Sequence, residues 1–239
     1  MKTRIIILTA LVALMLSNCL YSERVRGNGR SITFEENYQE FDELEFSNAI
    51  EAEIEYGDKY QIVVSIDENL EKYVKIEKYG SQLSFGLRSG VSYSNVNFKV
   101  HVTMPAVRKL DASGACELKV SGFKSKEDLT IDVSGATELD AFVNVGNLYL
   151  ETSGASEIEL IGSGKHLEID GSGASDLDLS DFKVLTATVD MSGASELKIN
   201  VLESLSVDLS GASEVKYYGN PQMKHISTSG ASDIRSMDR

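Results

Sequence analysis

Polar and apolar residues alternate along most of the chain, as in Leu129-Thr130-Ile131-Asp132-Val133. A period of two puts successive side chains on opposite faces of a strand, one inward and one toward water. The alternation is itself repeated. A Ser-Gly-Ala triplet recurs at Ser113, Ser134, Ser153, Ser172, Ser192, Ser210 and Ser229, with spacings of 21, 19, 19, 20, 18 and 19 residues. Three residues before each serine stands an aliphatic: Leu110, Ile131, Leu150, Ile169, Val189, Val207 and Ile226. Five residues after it stands another: Leu118, Leu139, Ile158, Leu177, Leu197, Val215 and Ile234. No i, i+3, i+4 pattern runs through these units and glycine interrupts each one, so helices are excluded.

A period near 19 residues is too short for two packed helices and suits one turn of a β-helix. The prediction is an all-β fold: a parallel β-helix, or β-solenoid, of seven Ser-Gly-Ala coils over residues 110–239. Glycine permits the tight corner, and its small neighbours can stack at about 4.8 Å, the strand spacing. A looser copy, Ser47-Asn48-Ala49-Ile50-Glu51, lies upstream. Residues 31–109 read as an irregular β-rich half, with strand-like runs at 49–56, 60–66, 73–87 and 97–104. Turn signals separate these runs at Gly57-Asp58, Asp67-Glu68-Asn69 and Tyr79-Gly80-Ser81. This half either continues the solenoid as wide early coils or packs as a distinct unit on its N-terminal end. Either arrangement covers an edge that otherwise invites aggregation.

The first 18 residues read as a signal peptide. Lys2 and Arg4 precede an uncharged run from Ile5 to Leu16, too short to span a membrane. Leu16-Ser17-Asn18-Cys19 resembles the lipobox of bacterial lipoproteins, although Asn18 replaces the usual Gly or Ala. The resemblance implies lipid attachment at Cys19 and an anchor linker over residues 19–30. The alternative is a plain secretory signal with Cys19 incidental. The other cysteine, Cys116, takes a repeat position filled elsewhere by Ser or Thr and reads as a small buried thiol.

Charge narrows the partners. The chain carries a formal −14, and loss of residues 1–18 removes two bases and no acid. Such a surface repels phosphate backbones, so nucleic acid is excluded as a partner.

Val25-Arg26-Gly27-Asn28-Gly29, Phe41-Asp42-Glu43-Leu44, Val100 to Pro105 and the repeated Ser-Gly-Ala-Ser-Glu/Asp together resemble the putative auto-transporter adhesin head GIN domain family. The likeness runs over roughly residues 25–235. It implies an exported or surface lipoprotein with a β-helical fold in the cell envelope, outer-membrane anchored on its periplasmic or surface face. It carries over no catalytic residues.

Candidate chemistry follows from the repeat. Four residues after each serine stands an acid: Glu117, Glu138, Glu157, Asp176, Glu196, Glu214 and Asp233. A second acidic column, Asp111, Asp132, Glu151, Asp170, Asp190 and Asp208, lies two residues before the serine. Two residues beyond the first column the sequence reads Lys119, Asp140, Glu159, Asp178, Lys198, Lys216 and Arg235. The middle coils therefore gather Glu138, Asp140, Glu157, Glu159, Asp176 and Asp178 into a candidate cation or cationic-ligand patch. No cofactor is expected; calcium is the ion such clustered carboxylates could take, and a solvated acidic face is the favoured reading. Tyr93, Tyr217 and Tyr218 are candidate glycan contacts, since an exposed tyrosine can lie on a sugar face. His101, His166 and His225 are isolated, and no metal-ligand spacing, nucleophile elbow or phosphate loop occurs. The leading expectation is a non-enzymatic, adhesin-like binding module with a membrane anchor and a glycan or surface-protein ligand. A polysaccharide lyase or hydrolase is the runner-up. A structural unit that stacks end to end with another copy is the third reading.

Overall fold

The computed structural model describes residues 23–237; the signal segment, Cys19 and the terminal Asp238-Arg239 lie outside the described residues. The described residues are 68% strand and 3% helix, with a solenoid of about six turns.

Each turn consists of a strand leading into the Ser-Gly-Ala corner and a strand leaving it. Leading strands are β10 (Lys109–Gly114), β12 (Leu129–Gly135), β14 (Asn147–Gly154) and β16 (His166–Gly171), then the later parts of β17 (Asp176–Met191) and β18 (Glu196–Leu209), and finally β20 (Gln222–Thr228). Leaving strands are β11 (Glu117–Lys124), β13 (Glu138–Asn144) and β15 (Glu157–Ser163), the early parts of β17 and β18, then β19 (Glu214–Tyr218) and β21 (Asp233–Ser236). Successive turns pair in parallel with corner on corner: Leu110 opposite Ile131, Ser113 opposite Ser134, Leu118 opposite Leu139.

Both aliphatic columns are buried from Leu110 and Leu118 through Val207 and Val215. Removing each such side chain from water contributes about 1.5–3 kcal/mol. The corners are tied by a backbone ladder: from Ala136 onward the amide of each corner alanine donates to the carbonyl of the glycine one turn earlier, as in Ala155 to Gly135 at 2.7 Å and Ala194 to Gly173 at 2.8 Å, and Ala115 donates to the Asn48 carbonyl at 2.6 Å.

The N-terminal half combines the two arrangements anticipated for it. β3 (Glu43–Asn48) and β4 (Glu51–Tyr56) form one more turn beneath β10 and β11, in register, with Asn48 opposite Gly114. Below them lie β7 (Gln82–Leu87) and β9 (Phe98–Met104), still parallel. The stack therefore crosses residues 109–110 without a break. It is closed by antiparallel strands: β6 (Val74–Tyr79) on β7, and β5 (Gln61–Asp67) on β9 with β2 (Ser31–Glu36) outside it. Antiparallel pairing needs only a short turn, so the chain can reverse here and cover the first rung.

Two features of this half escaped the sequence pattern. Residues 88–97 stand where other turns have their corner, and they carry β8 (Val91–Ser94). The stretch expected to be anchor linker contains β1 (Glu23–Arg26), paired in parallel with β8. Asp67 holds this arrangement in place. It is fully buried, and its two carboxylate oxygens accept the amides of Gly29 and Asn97 at 2.8 and 2.9 Å.

Candidate functional site

Side chains on the leaving strands alternate, so every second residue after the corner faces water. The acidic column and the mixed column beyond it both stack in register, Glu138 on Glu157 on Asp176 and Asp140 on Glu159 on Asp178. Like charges stacked about 5 Å apart repel by roughly 0.8 kcal/mol per pair in water, and neighbouring lysines relieve part of this. Lys198 Nζ reaches Asp178 at 3.2 Å, and Lys216 Nζ reaches Glu196 at 2.6 Å and Glu214 at 3.2 Å.

These contacts set protonation. Burial alone would raise the Asp178 carboxyl, but bonds from Ser180 and Lys198 outweigh it and hold it below the usual range. The bond from Lys216 holds Glu196 low as well, against some burial. Asp111 goes the other way: burial raises it, and Asp132 and Glu45 add to the rise, against the bond from Lys109.

The six carboxylates predicted as a cation patch thus share one face, but Asp178 is taken by a lysine of the next turn. Among the described residues no group of three or more His, Cys, Asp or Glu side chains converges to hold a metal ion. Parallel stacking points the carboxylates outward side by side, and a chelate needs them turned toward one point.

The tyrosines lie apart from the six carboxylates, and Tyr93 lies apart from Tyr217 and Tyr218. Tyr93 is half-buried on β8, its ring edge-on to Tyr73 at 5.7 Å and its hydroxyl donating to the Arg88 carbonyl at 2.8 Å. Tyr217 and Tyr218 are half-buried near the opposite end, where Tyr217 packs against the core. They form no shared platform.

Cys116 is buried. Burial pushes its thiol up, and the thiol points at the Ser113 carbonyl at 3.4 Å. It occupies the inward corner position held in later turns by Thr137, Ser156, Ser175, Ser195 and Ser213, all buried.

The face carries one feature the sequence reading passed over. Phe142 and Ile161 are opposite one another on β13 and β15 and are 46% and 41% exposed. With Lys119, Ser121, Asp140 and Glu159 they line a shallow hollow of about 300 Å³. The signal was present in parity. Each stands two residues beyond a predicted outward acid, so each had to face water too.

Solved structures share this fold. A putative adhesin from Bacteroides fragilis superposes with a TM-score of 0.84 at 16% identity, covering 89% of this chain and 100% of its own. One from Parabacteroides merdae gives 0.71 at 21%, with 90% and 100% covered. A putative lipid binding protein from Parabacteroides distasonis gives 0.73 at 22%, with the same coverage. No curated protein sequence matches the chain. Residues 40–221 match the family model described as putative auto-transporter adhesin, head GIN domain, and the chain belongs to that family.

Proposed function

We propose that this is an exported envelope lipoprotein, anchored through Cys19, whose solenoid face binds a ligand without catalysing a reaction. The hollow around Phe142 and Ile161 is the observation that carries this reading. Two large apolar side chains stand side by side in water on neighbouring turns, among outward carboxylates, Lys119 and Ser121, at a cost that a ligand covering them would remove. An aromatic ring flanked by carboxylates suits a glycan: the ring lies against a sugar's apolar face while Asp140 and Glu159 accept its hydroxyls. The adhesin descriptions of the family and of its structural relatives support a binding role. A surface protein is the other ligand class this face suits.

The enzyme alternative has less support. Turns differ by at most three residues, which leaves little chain to wall a cleft, and stacked carboxylates recur along the face without a distinguished pair.

The test is a glycan array probed with the soluble chain lacking residues 1–18 and carrying Cys19→Ser, compared with its Phe142→Ala and Ile161→Ala forms. Both residues are exposed, so folding is expected to be unchanged by circular dichroism. Each substitution should weaken binding by about thirtyfold, the loss of one interface hot spot of roughly 2 kcal/mol. Unaltered binding, or release of sugar fragments that stops on Asp140→Asn, would overturn the reading.

One observation favours a second role as a stacking unit. Among the described residues β20 and β21 pair on one side only, and Ile226 on the last turn is 53% exposed. Sedimentation should then show a concentration-dependent dimer that Ile226→Lys abolishes; a strict monomer removes this second role.

A further inference from the structure

Charge is distributed along this molecule very unevenly. Residues 23–30 and 88–99, the β1 and β8 segments with their flanks, hold Arg24, Arg26, Arg30, Arg88 and Lys99 against the single acid Glu23, a net +4. The rest of the chain from residue 31 onward holds 16 bases and 36 acids, a net −20.

Geometry turns the basic segment outward. Arg24 and Arg26 alternate with the inward Val25, so they share the outer face of the two-stranded sheet. Their register partners there are only Ser92 and Ser94. Both arginines are exposed, and neither has a carboxylate partner among the described residues. Arg88 is half-exposed and paired with Glu23 at 2.9 Å. Arg30 is 82% exposed, and its contact with Glu68 is a loose 3.9 Å. The sheet is locked to the N-terminal end of the stack: Asn69 Nδ2 donates to the Arg26 carbonyl at 2.8 Å, the Gly27 amide to the Ser94 carbonyl at 3.0 Å, and Asp67 holds Gly29 and Asn97.

Cys19 precedes Glu23 by four residues, a reach of at most about 14 Å. Any membrane that holds Cys19 therefore lies within one or two Debye lengths of these arginines.

We infer that the Arg24–Arg26 face of β1 docks on the anionic headgroups of the anchoring bilayer. Lys99 is paired with Glu51 and Arg88 with Glu23, so Arg24 and Arg26, with no carboxylate partner among the described residues, are the charges the headgroups attract, while the acidic remainder of the chain is repelled. This rests on the Cys19 anchor proposed above.

The test uses the chain lacking residues 1–18 with Cys116→Ser, coupled through Cys19 to a maleimide lipid in supported bilayers and measured by neutron reflectometry. Protein density in contact with the headgroups is expected on phosphatidylglycerol-containing bilayers. A layer held off the headgroups by solvent is expected on pure phosphatidylcholine, in high salt, and for Arg24→Ser/Arg26→Ser/Arg30→Ser on either lipid. The same density profile on both lipids with the unaltered arginines overturns the proposal, whether or not the triple variant folds. Because this tether is chemical, native acylation is read separately, by palmitate labelling with and without Cys19→Ser. Failure there removes the anchor reading and, with it, the docking in cells.

Discussion

At Gly154 the backbone takes φ +99°, and a Cβ built there would overlap the carbonyl oxygen of Gly135 one turn earlier. Two separate penalties therefore meet at one position: a left-handed conformation that costs an L side chain about 1–2 kcal/mol, and a backbone overlap that can be relieved only by spreading the ladder. Asn48 shows what the corner accepts when glycine is absent. It holds φ +79° at the equivalent position of the first turn, and its Oδ1 accepts the Leu87 amide at 2.8 Å, a bond glycine lacks. Asparagine tolerates this region better than other side chains. Gly154→Ala is expected to destabilise by about 3 kcal/mol or more in denaturant titration. Ser153→Ala, exposed beside it, should stay within about 0.5 kcal/mol.

How far sequence reached depended on how each strand is specified. Where strands repeat, an inward residue needs only parity and spacing, so Leu118, Leu139 and Ile158 could be placed in one buried column before any coordinate was known. The same parity exposes Phe142 and Ile161, but an apolar residue at an outward position reads as ordinary until the flatness of the face is seen. The terminal cap was hidden for a different reason. β2, β5 and β6 are antiparallel because of how the chain reverses, and alternation is the same for either direction. β1 was hidden because its partner, β8, lies 65 or more residues away and its anchors, Asp67 and Asn69, are isolated polar residues about 40 positions along the chain. Asp67 should be intolerant even of its isostere. Both oxygens accept backbone amides, and Asp67→Asn turns one acceptor into a donor facing a donor. Leaving a buried amide without its partner costs about 1–3 kcal/mol. Hydrogen exchange is expected to speed up over residues 23–30 and 91–98 while the Ser-Gly-Ala turns keep their protection. Unchanged exchange in those two segments would show that Asp67 does not hold them.

A stack of turns that touch only their neighbours distributes stability as a chain of local interfaces rather than as one indivisible core. Its two ends differ. The N-terminal end is covered by antiparallel strands, whereas the last turn presents its inward column to solvent. Ile169 and Ile226 occupy the same column, three residues before a corner serine, yet one is 1% and the other 53% exposed. The same substitution at both positions isolates the effect of place from that of chemistry. Ile169→Ala removes a side chain packed between turns and should cost about 2–5 kcal/mol. Ile226→Ala leaves no cavity and should cost under about 1 kcal/mol. Urea denaturation of the two variants at low concentration measures both. Repeating Ile226→Ala at high concentration then asks what covers the end: if a second copy sits there, its cost rises toward that of Ile169→Ala, and if it stays small the last turn stands open to water.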